Sequence, residues 1–446
     1  MRITATISMQ HYRERVIQIS FACQTSEPQT ILTLAALDRG TGLEVQNLNA
    51  YDDAGRPVYM SRTDQTLTIN AQIFRLEYQV YTPYTQCVGF DRLVGLNYPF
   101  INTQEIFLST GILPYPEDLP EIYRDVSLDM AVQDVPVGWG IFSNLPDRNP
   151  SPAVLEGFFI YCSTKQIPFI ETYHGKAQDI SFLLLGQHGI TLPDTLEAYW
   201  TFINQYMRWL ETFLGTYQER DEIMVLFLRA VPDFERLSNN RAFASGENVL
   251  NGIVSYGPDD AAYLRRIFGY EDFHRFLLDG LAHELMHFYT TASWQGAKKS
   301  VLYPSGDCPP THSRLIGEGL NLYFSRQFVH RYLEGSIEGF FTQTLTHILN
   351  RHQERPRKEP LVELFLLDLH LHAHDSSLLA IFSAAVKQHQ RTRIPYEDGR
   401  FLLDIAGQHL TADIPSFYYD LLLDSVIPDY PALLDEALAT VGFALQ

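Results

Sequence analysis

The chain has 446 residues, 46% of them hydrophobic and 13% aromatic, which is enough material for two or three packed domains and excludes general disorder. Its 33 Lys and Arg stand against 53 Asp and Glu, and a formal net charge of −20 disfavours nucleic acid and anionic lipid as partners. Cys23, Cys87, Cys162 and Cys308 lie far apart with no CxxC pair, so neither a zinc ribbon nor a disulfide framework is expected.

The N-terminal stretch MRITATISMQHYRERV lacks the long apolar segment of a signal peptide. No uninterrupted apolar run reaches the ~18 residues that span a bilayer, so a soluble, cytoplasmic chain is expected. The first 150 or so residues read as β-rich. Arg2–Ser8, Val16–Phe21, Gln29–Ala36, Leu67–Ala71 and Phe74–Tyr81 are short apolar or alternating runs, separated by turn formers such as DRGTG and DDAGRP. Without an intervening helical pattern, these point to a sandwich-like or barrel-like module. Asn144–Val154, rich in Pro, Asp and Asn, is the best boundary, and strands are expected to continue at Phe158–Cys162, Phe169–Tyr173 and Ile180–Leu185.

From about Leu192 the period changes to a helical one. Leu196, Tyr199, Phe202, Ile203, Tyr206, Met207, Leu210 and Phe213 recur at helical spacing, behind a Pro193-Asp194 start that suits a helix N-terminus. Strands are predicted at Ile223–Phe227 and Val249–Ser255, a helix over Asp272–Thr291, a loop over Ser293–Pro310 and a second helix over His312–Arg331. Leu361–Leu371, Leu378–Lys387, Phe401–Leu410 and Tyr418–Leu423 are further helical or mixed candidates, and there is no internal repeat.

The main chemical signal is His283-Glu284-Leu285-Met286-His287. Residues four apart on a helix share a face, so the two imidazoles can converge on one ion while Glu284 turns toward a water on it. Zn²⁺ accepts neutral imidazole nitrogen and tolerates an open position. The plain alternative is two satisfied histidines on an ordinary amphipathic helix. A third ligand is needed, and Glu318, flanked by Gly317 and Gly319 on the second helix, is the first choice, against His312 and then Asp307. Glu318 could equally be an exposed residue stabilised in a first helical turn. The continuation Phe288-Tyr289-Thr290-Thr291-Ala292-Ser293 lacks the HExxHxxGxxH extension, which argues against a three-histidine site.

These motifs resemble the glycyl-aminopeptidase-like family of gluzincin zinc metallopeptidases over most of the chain. Glu318-Gly319-Leu320-Asn321-Leu322-Tyr323 looks like the family's glutamate helix, Leu366-Leu367-Asp368-Leu369 like its LLDLxIR helix, and the segment from Pro415 to Phe443 like its closing segment. The resemblance implies a multi-domain α+β fold. An N-terminal β-sandwich-like domain would span 1–154, a thermolysin-like zinc catalytic domain 155–340 and a helical C-terminal part 341–446. It also implies Zn²⁺ as cofactor, peptide as substrate and aminopeptidase activity. The chain departs from the family pattern in three ways. Trp294 and Lys298-Lys299 are displaced relative to HExxHxWNxKR. The stretch HQERPRKEPLVELF before Leu366 lacks the Tyr expected to supply an electrophilic phenol. The PDZ domain that often follows in the family is not expected here.

In the active form of this reading, His283, His287 and Glu318 hold zinc and Glu284 is the general base. Arg351, His352, Arg355, Arg357, His370 and His372 are the candidate oxyanion donors, with none preferred. Asn321 could orient a metal ligand. Gly246-Glu247-Asn248 resembles the strand with which related aminopeptidases read a substrate amine, which would give Glu247 that role. The alternative is a catalytically impaired homologue acting as a peptide-binding or structural protein. The missing Tyr favours that alternative, and the intact Glu284 argues against it.

Overall fold

A computed structural model of the protein describes residues 1–38, 41–88, 90–91, 96–109, 111–116, 127–145, 158–164, 168–187, 190, 193–215, 221–230, 246–249, 252–258, 260–268, 272–290, 312–336, 339–346, 348–350, 359–392, 400–409 and 428–440. The chain divides into two compact units: Met1–Ile170 with Phe182–Leu196 and Glu222–Asp259, and Glu171–Ser181 with Glu197–Asp221 and Asp260–Gln446. No helix among the described residues is long and apolar enough to cross a membrane.

Alternation governs the first unit. In Arg2–Ser8 the residues Ile3, Ala5 and Ile7 are buried, in Val16–Gln24 Ile17, Ile19, Phe21 and Cys23, and in Ile73–Tyr81 Phe74, Leu76, Tyr78 and Val80. A period of two puts each set on one face of a pleated strand. The sheet runs in the order Ser127–Gln133, Arg2–Ser8, Val16–Gln24, Ile73–Tyr81, Glu44–Tyr51. Its pairs are antiparallel except Arg2–Ser8 with Ser127–Gln133, which is parallel with Arg2 opposite Ser127. A bulge between Gln46 and Asn49 puts Asn47 at φ 54°, a left-handed conformation that Asn tolerates.

Two four-stranded sheets share this core. One has the order Phe100–Ile101, Glu105–Ser109, Phe159–Thr164, Trp139–Ser143, and the other Tyr115–Pro116, Thr30–Thr33, Thr66–Ile69, Met60–Thr63. The apolar run expected at Gln29–Ala36 is therefore a short strand followed by a 3₁₀ turn, Ala35–Leu37. Tyr78, buried among apolar side chains, donates its hydroxyl to the Ile112 carbonyl at 2.7 Å, which satisfies the one polar group the strand brings inside.

A five-stranded sheet follows in the order Phe169–His174, Asp179–Gly186, Glu222–Arg229, Gly252–Gly257, Gly246–Val249. Glu222–Arg229 and Gly252–Gly257 pair in parallel and are buried along nearly their whole length, as strands covered on both faces must be. The single strand expected over Val249–Ser255 is two strands, Gly246–Val249 and Gly252–Gly257, paired antiparallel. A Cβ at Gly252 would run into the Phe159 ring, so only glycine fits there.

The second unit is helical. Its described helices are α1 (Pro193–Leu214, whose first residues belong to the first unit), α2 (Ala261–Phe268), α3 (Phe273–Thr290), α4 (His312–Glu334), α5 (Pro360–His372), α6 (Leu378–Thr392), α7 (Arg400–His409) and α8 (Tyr430–Thr440), with a π-helical turn at Phe340–Leu345. The segment Tyr418–Leu423, expected to be helical, lies outside the described residues. On α1, Phe202 meets the Phe328 ring of α4 edge-on, and Tyr206 and Trp209 meet it at tilted angles. Asp272 caps α3 by accepting the Arg275 backbone N–H on its side chain at 2.8 Å. Pro360 opens α5, where its missing N–H costs nothing. The Tyr430 hydroxyl of α8 donates to Glu363 of α5 and accepts the Glu359 backbone N–H at 2.9 Å.

Candidate metal centre

Helices α3 and α4 pack against each other along their lengths, and the register follows from three sets of polar contacts. Arg275 reaches Glu334 at 2.5 Å and His330 Nδ1 at 2.6 Å, Arg326 reaches Asp279 at 3.2 Å, and Asn321 reaches His287 at 2.9 Å. Numbers rise on α3 while their partners' numbers fall on α4, so the helices run antiparallel. Burial, then the Arg275 charge, depresses the His330 pKa. Hydrogen bonds and charge from His330 and Arg275 outweigh desolvation and depress the Glu334 pKa.

At the other end of α3 lie His283, Glu284 and His287. The two imidazole Nε2 atoms are 3.0 Å apart, and Glu284 Oε1 is 3.8 Å from His283 Nε2. One ligand atom from each of the three residues fits within 4.8 Å of the others. Two Zn–N bonds of about 2.0–2.1 Å at a tetrahedral angle would put the nitrogens roughly 3.3 Å apart. Spreading the rings by a few tenths of an ångström meets that value, so the donor set fits zinc. His283 and Glu284 are buried, and His287 is partly so. A helix with Leu277, Leu278, Leu281, Leu285 and Met286 buried around these three holds ionisable groups in a largely apolar setting.

Asn321 is wholly buried on α4. Its carboxamide lies 2.9 Å from His287 Nδ1 and within 3.0–3.1 Å of the Thr290 hydroxyl, which in turn lies 3.1 Å from the Met286 carbonyl. The sequence expectation for Asn321 concerned a metal ligand, and the structure brings it to the second histidine of the motif. Thr290 was missed. Its position three residues after His287 puts both on one helix face, and that spacing was the available signal.

Glu318 belongs to α4, one turn before Asn321, but its side chain lies outside the described ones, as does that of His312. Glu247 belongs to the strand Gly246–Val249 of the first unit, and its side chain also lies outside them. Trp294, Lys298, Lys299, Asp307, Cys308, Arg351, His352, Arg355 and Arg357 lie outside the described residues. His370 and His372 sit on α5. His372 is largely exposed, with Nδ1 3.4 Å from Asp368, and burial and then the nearby His374 lower the His370 pKa. Tyr323 donates to Asp368 at 2.9 Å, and burial and then that carboxylate push its phenol well above the usual range. Tyr289, Tyr323 and Phe324 are all buried.

No family model matches the chain, and no curated protein matches it. Solved structures do. An aminopeptidase N family protein from Idiomarina loihiensis is similar with a TM-score of 0.65 at 14% identity, covering 97% of this chain and 78% of that one. An M1 zinc metallopeptidase from Deinococcus radiodurans, in a mutant form bound to a Tyr-Ser-Ala substrate, is similar with a TM-score of 0.53 at 13% identity, covering 97% and 95%. The fold is aminopeptidase N-like. The β-rich N-terminal part and the helical C-terminal part are the multi-domain α+β arrangement read from the sequence. At these identities the likeness is one of fold.

Proposed function

We propose that the protein is a zinc-dependent peptidase acting as an aminopeptidase on peptides, with His283, His287 and Glu318 as metal ligands and Glu284 as general base. The observation that carries this reading is the convergence of the two Nε2 atoms to 3.0 Å beside the Glu284 carboxylate. Both structural relatives named above are described as aminopeptidase N-family or M1 zinc metallopeptidases. Helix geometry supports Glu318, because positions three apart share a face and Asn321 reaches His287 from the same helix.

Zinc held there supplies Lewis acidity toward a water and the scissile carbonyl. Glu284 takes the proton of the attacking water on its carboxylate and hands it to the departing amine. Glu247 pairs with the free α-amine of the peptide in this reading, which is what makes the activity an aminopeptidase. The divisions 1–154, 155–340 and 341–446, the thermolysin-like character of the catalytic part and membership of the glycyl-aminopeptidase-like family belong to the same reading. The described cysteines Cys23, Cys87 and Cys162 are buried, and a cytoplasmic location belongs to the same reading.

A second reading, a peptide-binding or structural homologue without turnover, draws on the tyrosines. Tyr323 and Tyr430 each donate to a carboxylate, so neither phenol is available to a substrate oxyanion. Turnover on a broad peptide panel separates the two readings, and metal analysis by mass spectrometry tests the site they share. The proposal expects about one zinc per chain, lost or much weakened in both His283→Ala and Glu318→Ala. Zinc absent from the native protein after remetallation would remove the catalytic reading. Zinc kept in Glu318→Ala but lost in His283→Ala would move the third ligand to His312.

A further inference from the structure

The contacts around His287 specify more than a neighbour for a ligand. The Asn321 carboxamide touches two groups of α3, and its two ends cannot be told apart by position alone, so donors and acceptors decide their assignment. Thr290 has one hydroxyl proton and sits 3.1 Å from the Met286 carbonyl, which can only accept. One end of the amide lies 2.9 Å from His287 Nδ1 and 3.0 Å from the Thr290 oxygen, and the other end lies 3.1 Å from the Thr290 oxygen. With the Thr290 proton on Met286, the NH₂ takes the second place and donates to Thr290 at 3.1 Å, which puts the amide oxygen against His287 Nδ1 and requires a proton there. His287 Nε2 is left with its lone pair, directed at the point where His283 Nε2 also converges. The reverse assignment presents an N–H to His287 Nδ1, puts the ring proton on Nε2 and removes the donor a metal needs.

We propose that Asn321 and Thr290 form a positioning relay that fixes His287 in its Nδ1–H tautomer, so that Nε2 serves as the ligand. The inference rests on the zinc reading and deepens it. The relay runs from α4 back to the α3 backbone at Met286, and both of its side chains are wholly buried, so solvent does not compete for its protons. It is also neutral. A carboxylate in the Asn321 place would raise the basicity of the imidazole, whereas a carboxamide orients the ring without adding charge. The chain therefore gives up some metal affinity and keeps a more electrophilic ion.

The test is zinc affinity by competition with a chelator on the full chain, with Asn321→Leu, Asn321→Asp, Thr290→Val and His283→Ala, beside the Co²⁺ absorption spectrum of each. Asn321→Leu should weaken zinc by roughly tenfold to a hundredfold and alter the Co²⁺ bands. Thr290→Val should weaken it less, since the amide oxygen can still accept. Asn321→Asp should bind zinc more tightly than the native chain. A merely structural role predicts the opposite for Asn321→Asp, because a new buried charge disturbs packing as much as a leucine does. Weakening by Asn321→Asp equal to that by Asn321→Leu would overturn the relay. Native affinity in Asn321→Leu, with zinc lost in His283→Ala, would overturn the relay and leave the metal site standing. No zinc in the native chain would overturn both.

Discussion

The core of the first unit is walled by Ile3, Ile7, Ile19, Phe21, Phe74, Leu76 and Val80, with Tyr78 as a polar guest whose hydroxyl is satisfied at once. The helix pair α3 and α4 buries Asp279, His283, Glu284, Thr290, Asn321, Ser325 and His330 instead. One interior is stabilised by apolar area removed from water. The other holds ionisable groups whose desolvation must be offset by partners at fixed distances. A concentration of costly polar burial thus falls on the helix pair that carries the HExxH motif.

That contrast can be broken experimentally. Phe74→Ala should show the largest loss, about 3–5 kcal/mol for a buried aromatic truncated in a packed sheet. Urea unfolding measures it, and zinc content should be unchanged where the fold persists. Arg326→Met should cost about 3 kcal/mol, near the lower end for a buried pair losing one partner, because Arg326 keeps some solvent contact. Adding Asp279→Leu to that variant should recover much of the loss. If it does not, the pair is not the reason for the cost.

A smaller effect comes from His330. Its pKa is lowered in the folded protein by burial and then by Arg275, so the unfolded chain takes up a proton first as pH falls. Its contribution is present above the ordinary histidine value of about 6.5 and is lost as pH falls from there toward the lowered folded value. Thermal melts at stepped pH should show that decline, and His330→Gln should flatten it. The smallest effect belongs to the exposed pair Arg75–Glu77, 2.9 Å apart with side chains 48% and 45% exposed. Arg75→Gln should change stability by under about 1 kcal/mol. A loss there as large as that at Arg326 would remove the distinction between surface and interior ion pairs.

Much of this organisation was legible in the sequence because period and burial coincide. Arg2–Ser8 and the strand ending at Tyr81 alternate cleanly, and the helix predicted over Asp272–Thr291 is α3, which starts one residue later because Asp272 is its cap. Strands without an apolar face were missed. Met60–Thr63 buries none of its residues and Glu44–Tyr51 only Ala50, so neither carries the signal. The short helix α2 and the closing helix α8 were not assigned either. At the site, His283 and His287 could be paired from spacing four on one helix. The partnership of Asn321 with His287 and Thr290, and of Asp279 with Arg326, depends on the antiparallel register of α3 and α4, which no local pattern encodes.

The measurement that tests the central claim most directly is hydrolysis of unblocked tripeptides by the zinc-loaded chain and by Glu284→Gln at matched zinc content. The account predicts release of the N-terminal residue by the native protein and a fall of roughly 10²–10⁴-fold in the variant, with its melting temperature little changed. Equal turnover in the two proteins, or none from a zinc-loaded native chain across a broad panel, would contradict it.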